Sequence, residues 1–316
     1  MLKLAIVGAG IMGANHARIA DQHRSVELVA IVDPSPERVD PLVARYGTAT
    51  FSTLDECLGS FDAAIIATPT EHHHEVGLRL IEHGIHVLIE KPIASTIEEA
   101  TDLIEAAARS GSTLTVGHVE RFNPAVLELD SIITDPVHIT ATRISPFAAR
   151  VTTGVVLDLM VHDLDIVAQL AGGSITRVQA SASSTRSDSE DLATALLEFD
   201  NGVTATLTAS RIGQQKIREI TITQPNSFVT VDLLRQDITI SRVDHSEYLS
   251  TEGARYRQTG VIEIPFLEHR GEPLALELDE FVAAIAESRT PRVTGADGRA
   301  ALDLALRVTA ASAHTR

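Results

Sequence analysis

Residues 8–13 read GAGIMG, directly after the apolar run LKLAIV at residues 2–7. Gly8, Gly10 and Gly13 form the spacing GxGxxG between an expected strand and an expected helix. Each glycine answers a physical demand: a tight turn, close approach of a pyrophosphate to the backbone, and close packing of helix on strand. The helix opening there presents free N–H groups and a positive dipole end to phosphate, over the turn Gly10, Ile11 and Met12. Taken alone the pattern is weak. Asp33 sharpens it, because it ends a second apolar run, LVAIVD at 28–33, twenty residues after Gly13. A carboxylate at that place holds a ribose 2′-OH and repels a 2′-phosphate, which favours NAD over NADP. Ser35 and Arg38 lie close enough to keep NADP open. The bland alternative, a glycine turn retained for packing, leaves Asp33 unexplained.

The rest of the first third repeats the same unit. Strands are expected at 63–69, 86–92 and 113–119, with helices at 14–21, 41–46, 53–58, 75–83 and 97–110. Strands apolar on both faces, alternating with helices, indicate a parallel sheet covered on both sides. A dinucleotide-binding domain over residues 1–118 follows. Beyond it the character changes. VHITATR at 137–143 alternates, and 156–170 carries apolar residues at helical spacing up to Gly172 and Gly173. LATALLEF and VTATLTA flank Asp200, Asn201 and Gly202, a tight-turn sequence. Further strands are expected at 217–223, 227–233, 237–242 and 261–266, a loop at 244–260, and helices at 124–129, 274–288 and 297–311. The fold class is thus α/β: an N-terminal dinucleotide domain plus an α+β domain, 119–316, with an open, largely antiparallel sheet. The last helices are candidates to pack back on the first domain.

Composition narrows the function. The 316 residues carry 26 Lys and Arg against 43 Asp and Glu, a formal charge of −17. That balance disfavours nucleic acid and anionic membrane as partners, since both need clustered positive charge. No run approaches the length of a transmembrane helix, and the first strand begins too early for a signal peptide, so a cytoplasmic protein is expected. One cysteine, Cys57, excludes an intrachain disulfide framework and a multi-thiolate metal site. His72, His73 and His74 are consecutive and fan out around a helix, so no metal is expected.

Two stretches carry chemistry. Thr68, Pro69 and Thr70 begin at the carboxyl end of a parallel strand, where open α/β sheets bind ligands. Glu90, Lys91 and Pro92 stand at the corresponding end of the next strand. A lysine there reads as functional, or as a surface lysine before a helix-starting proline. In the second half, Asp158 and His162 are four apart on an expected helix and share a face. A histidine can exchange a proton near neutral pH while a carboxylate one turn away orients its ring. A satisfied helix histidine beside a surface acid fits the spacing equally well. Asp163 and Asp165 point elsewhere and read as caps, salt-bridge partners or subunit contacts.

AIVGAGIMGANHA, ATPTEHH, HVLIEKPIA, GHVERFNP and GVVLDLMVHDLD occur in this order, with EPLALELDEFVAAI and GADGRAALDLAL late in the chain. Over essentially its full length the chain resembles the Gfo/Idh/MocA oxidoreductases. The resemblance implies a Rossmann domain and a second domain whose open sheet makes a homodimer or homotetramer. It implies NAD-dependent oxidation of a secondary alcohol of a sugar or cyclitol, or the reverse reduction of a keto-sugar or imine. Lys91 matches the family lysine that contacts nicotinamide ribose and the reacting hydroxyl. Asp158 and His162 match the acidic and histidine positions of the substrate helix, and His73 the histidine of the cofactor-side TPxxxH pattern. Either Lys91 or His162 can be the immediate base.

GHVERFNP and RISPFAARVTTGVVLDLMVHDLDI resemble the nucleotide-sugar branch, which oxidises UDP-N-acetylglucosamine at C3. That implies Arg121, Asn123 and Arg143 on the substrate side, with Arg150 a weaker candidate. Ala148 and Ala149 replace an expected proline-rich segment, which leaves the sugar open, and inositol or a free sugar is the alternative. A noncatalytic NAD sensor ranks lower, because it would have no use for Lys91, Asp158 and His162 together.

Overall fold

The computed structural model describes residues 1–148, 152–250 and 253–313, without the side chains of 244–259. The chain divides into two compact units. One comprises Met1–Phe122 with Gly271–Asp303, the other Asn123–Arg270 with the residues from Leu304 onward.

The first unit is built on six strands: β1 (Leu2–Val7), β2 (Val26–Val32), β3 (Ala49–Phe51), β4 (Ala63–Ile66), β5 (His86–Glu90) and β6 (Leu114–Gly117). Their order is β3-β2-β1-β4-β5-β6, and every pair is parallel. This is the Rossmann arrangement, in which the order reverses between β1 and β4 and opens a crevice at the strand ends. The connecting helices are α1 (Ile11–Gln22), α2 (Pro36–Tyr46), α3 (His73–Glu82) and α4 (Ile97–Ser110). Local chemistry sets their ends. Thr96 and Glu99 form a reciprocal capping box on α4, and Gly111 closes it at φ 74°.

Two expectations fail here for physical reasons. The helix expected at 41–46 begins at Pro36, because burial of Val39 and Leu42 on one face outweighs the hydrogen bond lost at Pro41. The helix expected at 53–58 is a single 3-10 turn, Leu54–Glu56, and the short β3 before it is not legible in the sequence.

A helix from the far end of the chain completes this unit. In α7 (Pro273–Ala286), Leu274, Leu278 and Phe281 recur at helical spacing. They join the core formed by Leu4, Ile6, Ala17, Ile31 and Leu88.

The second unit holds eight strands: β7 (His138–Ile144), β8 (Ile175–Ser183), β9 (Leu192–Phe199), β10 (Thr204–Ser210), β11 (Ile217–Gln224), β12 (Ser227–Asp232), β13 (Asp237–Ser250) and β14 (Gly253–Glu263). The order is β14-β13-β12-β11-β7-β10-β9-β8. Only β7 and β10 run parallel, and the other pairs are antiparallel. Gly202, at φ 86°, closes the β9–β10 turn expected from Asp200–Asn201–Gly202. The stretch expected as a loop at 244–260 is instead strand, with Asp244 paired to Thr259 and Ser250 to Gly253. Its backbone hydrogen bonds form without the apolar alternation that a buried strand face would impose. β8 was likewise not anticipated, since ITRVQASAS offers little buried face.

α5 (Pro124–Ile132), α6 (Val161–Ala171) and α8 (Gly295–Ala313) complete the described helices. The helix expected from 156 opens as a π-helical turn, Val156–Met160, before α6 takes over.

Candidate functional site

In the first unit, the ends of β1, β2 and β4 enclose a cavity of about 720 Å³. Gly8, Gly10, Ile11, Asp33, Thr68 and Pro69 line it. The glycines fit a close-packed turn. A Cβ on Gly8, at φ 98°, would lie 2.6 Å from the Ala67 carbonyl, and one on Gly13 would overlap the Gly8 carbonyl oxygen. Gly10 has open space where its side chain would be, so a ligand can approach its backbone. Met12 follows in the first turn of α1.

Asp33 is 7% exposed, and its carboxylate accepts the N–H of Ala9 and of Ser35, both at 2.8 Å. It thereby fastens the end of β2 to the glycine turn. Arg38 approaches Asp33 at 3.9 Å from the solvent side. A pyrophosphate on the glycine turn with ribose toward Asp33 suits this donor and acceptor set, so the site fits a dinucleotide.

The three histidines diverge. His72 lines the cavity, while His74 lies 3.4 Å from Asp102. His73 is buried, with Nδ1 at 2.9 Å from the Pro92 carbonyl and Nε2 at 3.0 Å from the Thr68 carbonyl. It ties the loop after β4 to the loop after β5, and so sets Thr68–Thr70 relative to Lys91 from beneath. Loss of hydration lowers its pKa, against the pull of the two carbonyls. Thr70 opens the 3-10 turn leading to α3.

Glu90 also works from below. It accepts from the Lys91 N–H at 3.3 Å, and its Oε1 lies 2.8 Å from His16 Nε2. Glu277 of α7 is 1% exposed, and among the described residues neither of its carboxyl oxygens has a hydrogen-bond partner. Burial pushes its pKa well up, and the Glu90 charge pushes it further. Nothing in the sequence marks Glu277, since one acid on an amphipathic helix reads as solvated. Lys91 is half-buried at the start of the turn that follows β5.

Ser52, Thr53 and Arg79 line the same cavity. The first two follow the unanticipated β3. Arg79 pairs with Asp55.

In the second unit, Asp158 sits in the π turn and His162 in the first turn of α6. Asp158 pairs with Arg211, whose Nη2 donates to Oδ2 at 3.2 Å and to the Thr153 carbonyl at 2.6 Å. Arg211 is 3% exposed and follows β10. Nothing in the sequence singles it out, because the parallel pairing of β10 with β7 shows only in the fold.

The resemblance implies a place on the substrate side for Arg143. The alternation of β7 turns it inward, where it is 1% exposed and donates to both oxygens of Asp163, at 2.9 and 2.7 Å. Asp163 is thus a salt-bridge partner. Asn123 is 2% exposed; it accepts the Ala125 N–H as the cap of α5 and donates to the Leu233 carbonyl at 2.9 Å. Arg121, in the first unit, is 7% exposed and lies 4.0 Å from Asp297. Arg150 lies outside the described residues, as does Ala149.

Among the described residues no three His, Cys, Asp or Glu side chains converge as a metal site. Among the same residues no helix is long and apolar enough to cross a membrane.

Comparison with known proteins places this geometry. Residues 2–118 match the model of an oxidoreductase family with an NAD-binding Rossmann fold, and residues 130–224 match the Gfo/Idh/MocA C-terminal domain. UDP-N-acetylglucosamine 3-dehydrogenase of Acidithiobacillus ferrooxidans is 30% identical over 97% of this chain and 96% of its own. A solved structure of that enzyme superposes with TM-score 0.88, at 31% identity, over 99% of this chain and 98% of its own. The NAD⁺-dependent scyllo-inositol 2-dehydrogenase of Bacillus subtilis is 26% identical over 98% and 93% of the two chains. A glycine turn closed on an NAD-binding cavity, followed by the family's own C-terminal domain, makes this chain a member of the Gfo/Idh/MocA family, an NAD(P)-dependent oxidoreductase acting on CH–OH groups.

Proposed function

We propose that this protein oxidises a secondary hydroxyl of a nucleotide sugar, UDP-N-acetylglucosamine at C3, with NAD⁺ as acceptor. The observation that carries this reading is the full-length likeness to the Acidithiobacillus enzyme, in both sequence and fold. The NAD⁺-dependent inositol dehydrogenase, also matched end to end, supports inositol or a free sugar as the second reading.

NAD⁺, when bound, supplies the hydride acceptor. The chain supplies the rest. Gly8, Gly10, Ile11, Met12 and Gly13 bind pyrophosphate and Asp33 the ribose. Thr68, Pro69 and Thr70 border the nicotinamide side, set in place by His73 and Glu90. Lys91 stabilises alkoxide charge as it develops, where a fixed cation is worth more than in water. His162 accepts the hydroxyl proton, directly or through Lys91. Asp158, held by Arg211, orients the imidazole or takes a neighbouring hydroxyl. Arg121 remains a candidate for the substrate side.

The protein also reads as a homo-oligomer assembling through the open sheet. Phe228, Val243 and Ile262 share one sheet face on adjacent strands and are 43%, 51% and 70% exposed. A single-chain mass in light scattering would contradict this.

Absorbance at 340 nm with NAD⁺ and a panel of UDP-sugars, myo-inositol and free pyranoses, repeated with NADP⁺, tests the substrate reading. Saturable reduction with UDP-N-acetylglucosamine alone is expected. Turnover of inositol or a free sugar, with UDP-sugars silent, overturns it.

A further inference from the structure

A second cavity, of about 510 Å³, opens in the second unit and is lined by Pro146, Phe147, Arg186, Gly213 and Gln214. It takes no part in the chemistry derived above. Its residues come from the segments after β7 and β10 and from the β8–β9 connection.

That connection is built around one buried carboxylate. Asp191 has no exposed surface, and its Oδ2 accepts the N–H groups of Thr185, Arg186 and Ser187 at 2.9, 2.6 and 3.0 Å. Its Oδ1 accepts the Ser187 hydroxyl at 2.8 Å. Lost hydration opposes ionisation, yet the N–H groups of Arg186 and Thr185, with the hydroxyl and N–H of Ser187, hold this carboxyl at about 2. A nest of this kind fixes a turn that would otherwise be mobile. What it presents is Arg186, an exposed side chain whose guanidinium lies over the Phe147 ring, 5.4 Å from its centre.

The same connection is bonded to the segment that carries Asp158 and His162. The Val155 N–H donates to the Glu190 carbonyl at 3.0 Å, one residue before the π turn. The Arg211 N–H donates to the Asp191 carbonyl at 2.8 Å, and the Arg211 side chain holds Asp158. The connection that carries Arg186 is therefore linked by hydrogen bonds, within one unit, to the segment that holds Asp158.

We propose that this cavity takes the nucleoside diphosphate part of the substrate, with Arg186 on the phosphate oxygens and the Phe147 face not covered by Arg186 under the base. A free hexose or an inositol offers no use for a fixed guanidinium beside an aromatic face. A nucleoside diphosphate uses both: the planar fork of arginine matches phosphate oxygens, and an aromatic ring stacks on any base. Gln214 adds an amide that can donate to or accept from a base edge. In a chain of net charge −17, a cation fixed at one cavity supplies the local attraction that the molecular total opposes.

This inference rests on the nucleotide-sugar reading, and the test separates the two. UDP binding to the NAD⁺-loaded enzyme is measured by calorimetry for wild type, Arg186→Ala, Arg186→Lys and Phe147→Ala. UDP-N-acetylglucosamine kinetics are measured alongside. Loss of one charge-assisted contact predicts UDP binding weakened about tenfold in Arg186→Ala, KM raised by a similar factor and kcat changed far less. Arg186→Lys falls between, because the point charge remains and the fork is lost. Phe147→Ala weakens UDP in the same direction, and NAD⁺ affinity serves as the folding control. UDP-sugar turnover with UDP affinity and KM unchanged in Arg186→Ala and Phe147→Ala overturns this inference alone. A wild type that binds no UDP and oxidises only inositol or a free sugar overturns both.

Discussion

Arg211 reaches Asp158 at 3.2 Å from a position after β10, and it donates in the same place to the Thr153 carbonyl. The proposed catalytic acid is thus held by a buried cation that spacing within its own helix does not disclose. Arg211 acts as a positioning residue. Arg211→Ala is expected to lower kcat/KM about 10- to 100-fold, as the loss of an outer-shell partner does elsewhere. NAD⁺ affinity should be unchanged, the pH dependence of kcat/KM should shift, and Arg211→Lys should recover part of the activity. A wild-type rate and pH profile in Arg211→Ala would remove Arg211 from the account.

The buried pair with Asp163 points to a structural role for Arg143. Arg143 is buried against Asp163, so its removal takes a charged partner from a buried carboxylate, at a cost of up to about 3–5 kcal/mol. Arg143→Met should melt well below wild type, whereas Arg143→Met with Asp163→Leu should recover most of the loss. If Arg143→Met keeps wild-type stability but loses substrate affinity, Arg143 belongs on the substrate side after all.

In the proposed reading Asp33 selects the dinucleotide. Because it holds the Ala9 N–H as well as facing the cavity, Asp33→Ala should weaken NAD⁺ and narrow the ratio of kcat/KM between NAD⁺ and NADP⁺. Kinetics with both dinucleotides checks this. A wild type that already prefers NADP⁺ contradicts the reading of Asp33.

These residues mark where the sequence is legible. GAGIMG and Asp33 encode their geometry locally, since a turn and a strand end are short-range features. Lys91 is legible because a strand end places it. The turn at 200–202 is equally local, and the first sheet is legible from its repeated alternation of strand and helix. The inward turn of Arg143 and the Arg211–Asp158 pair depend on pairing between distant strands, which no local pattern carries. The π turn at 156–160 has the apolar spacing of an α-helix, so periodicity alone could not reveal it. β13 and β14 lack alternation and pair through backbone, which makes a polar strand read as a loop.

Glu277 makes stability depend on pH. Its buried carboxyl titrates well above its ordinary range, because burial and then the Glu90 charge disfavour the ionised form. The folded state therefore binds a proton that the unfolded chain has released. Its contribution is fully present below the unfolded pKa near 4.5 and is lost as pH rises toward the folded value. Glu277→Gln, permanently neutral, should melt above wild type at pH 8, with the advantage shrinking as pH approaches 4.5. An advantage independent of pH would show that Glu277 does not titrate between the two states.

The most direct test of the central claim follows the transferred hydrogen. UDP-N-acetylglucosamine carrying deuterium at C3 is incubated with NAD⁺ and the enzyme, and the reduced nicotinamide is analysed by mass spectrometry. Deuterium in the reduced cofactor, and no transfer by a folded, NAD⁺-binding Lys91→Ala variant, is the predicted result. Reduced cofactor without deuterium, or no reduction by folded wild-type enzyme, would contradict oxidation at C3 of this substrate.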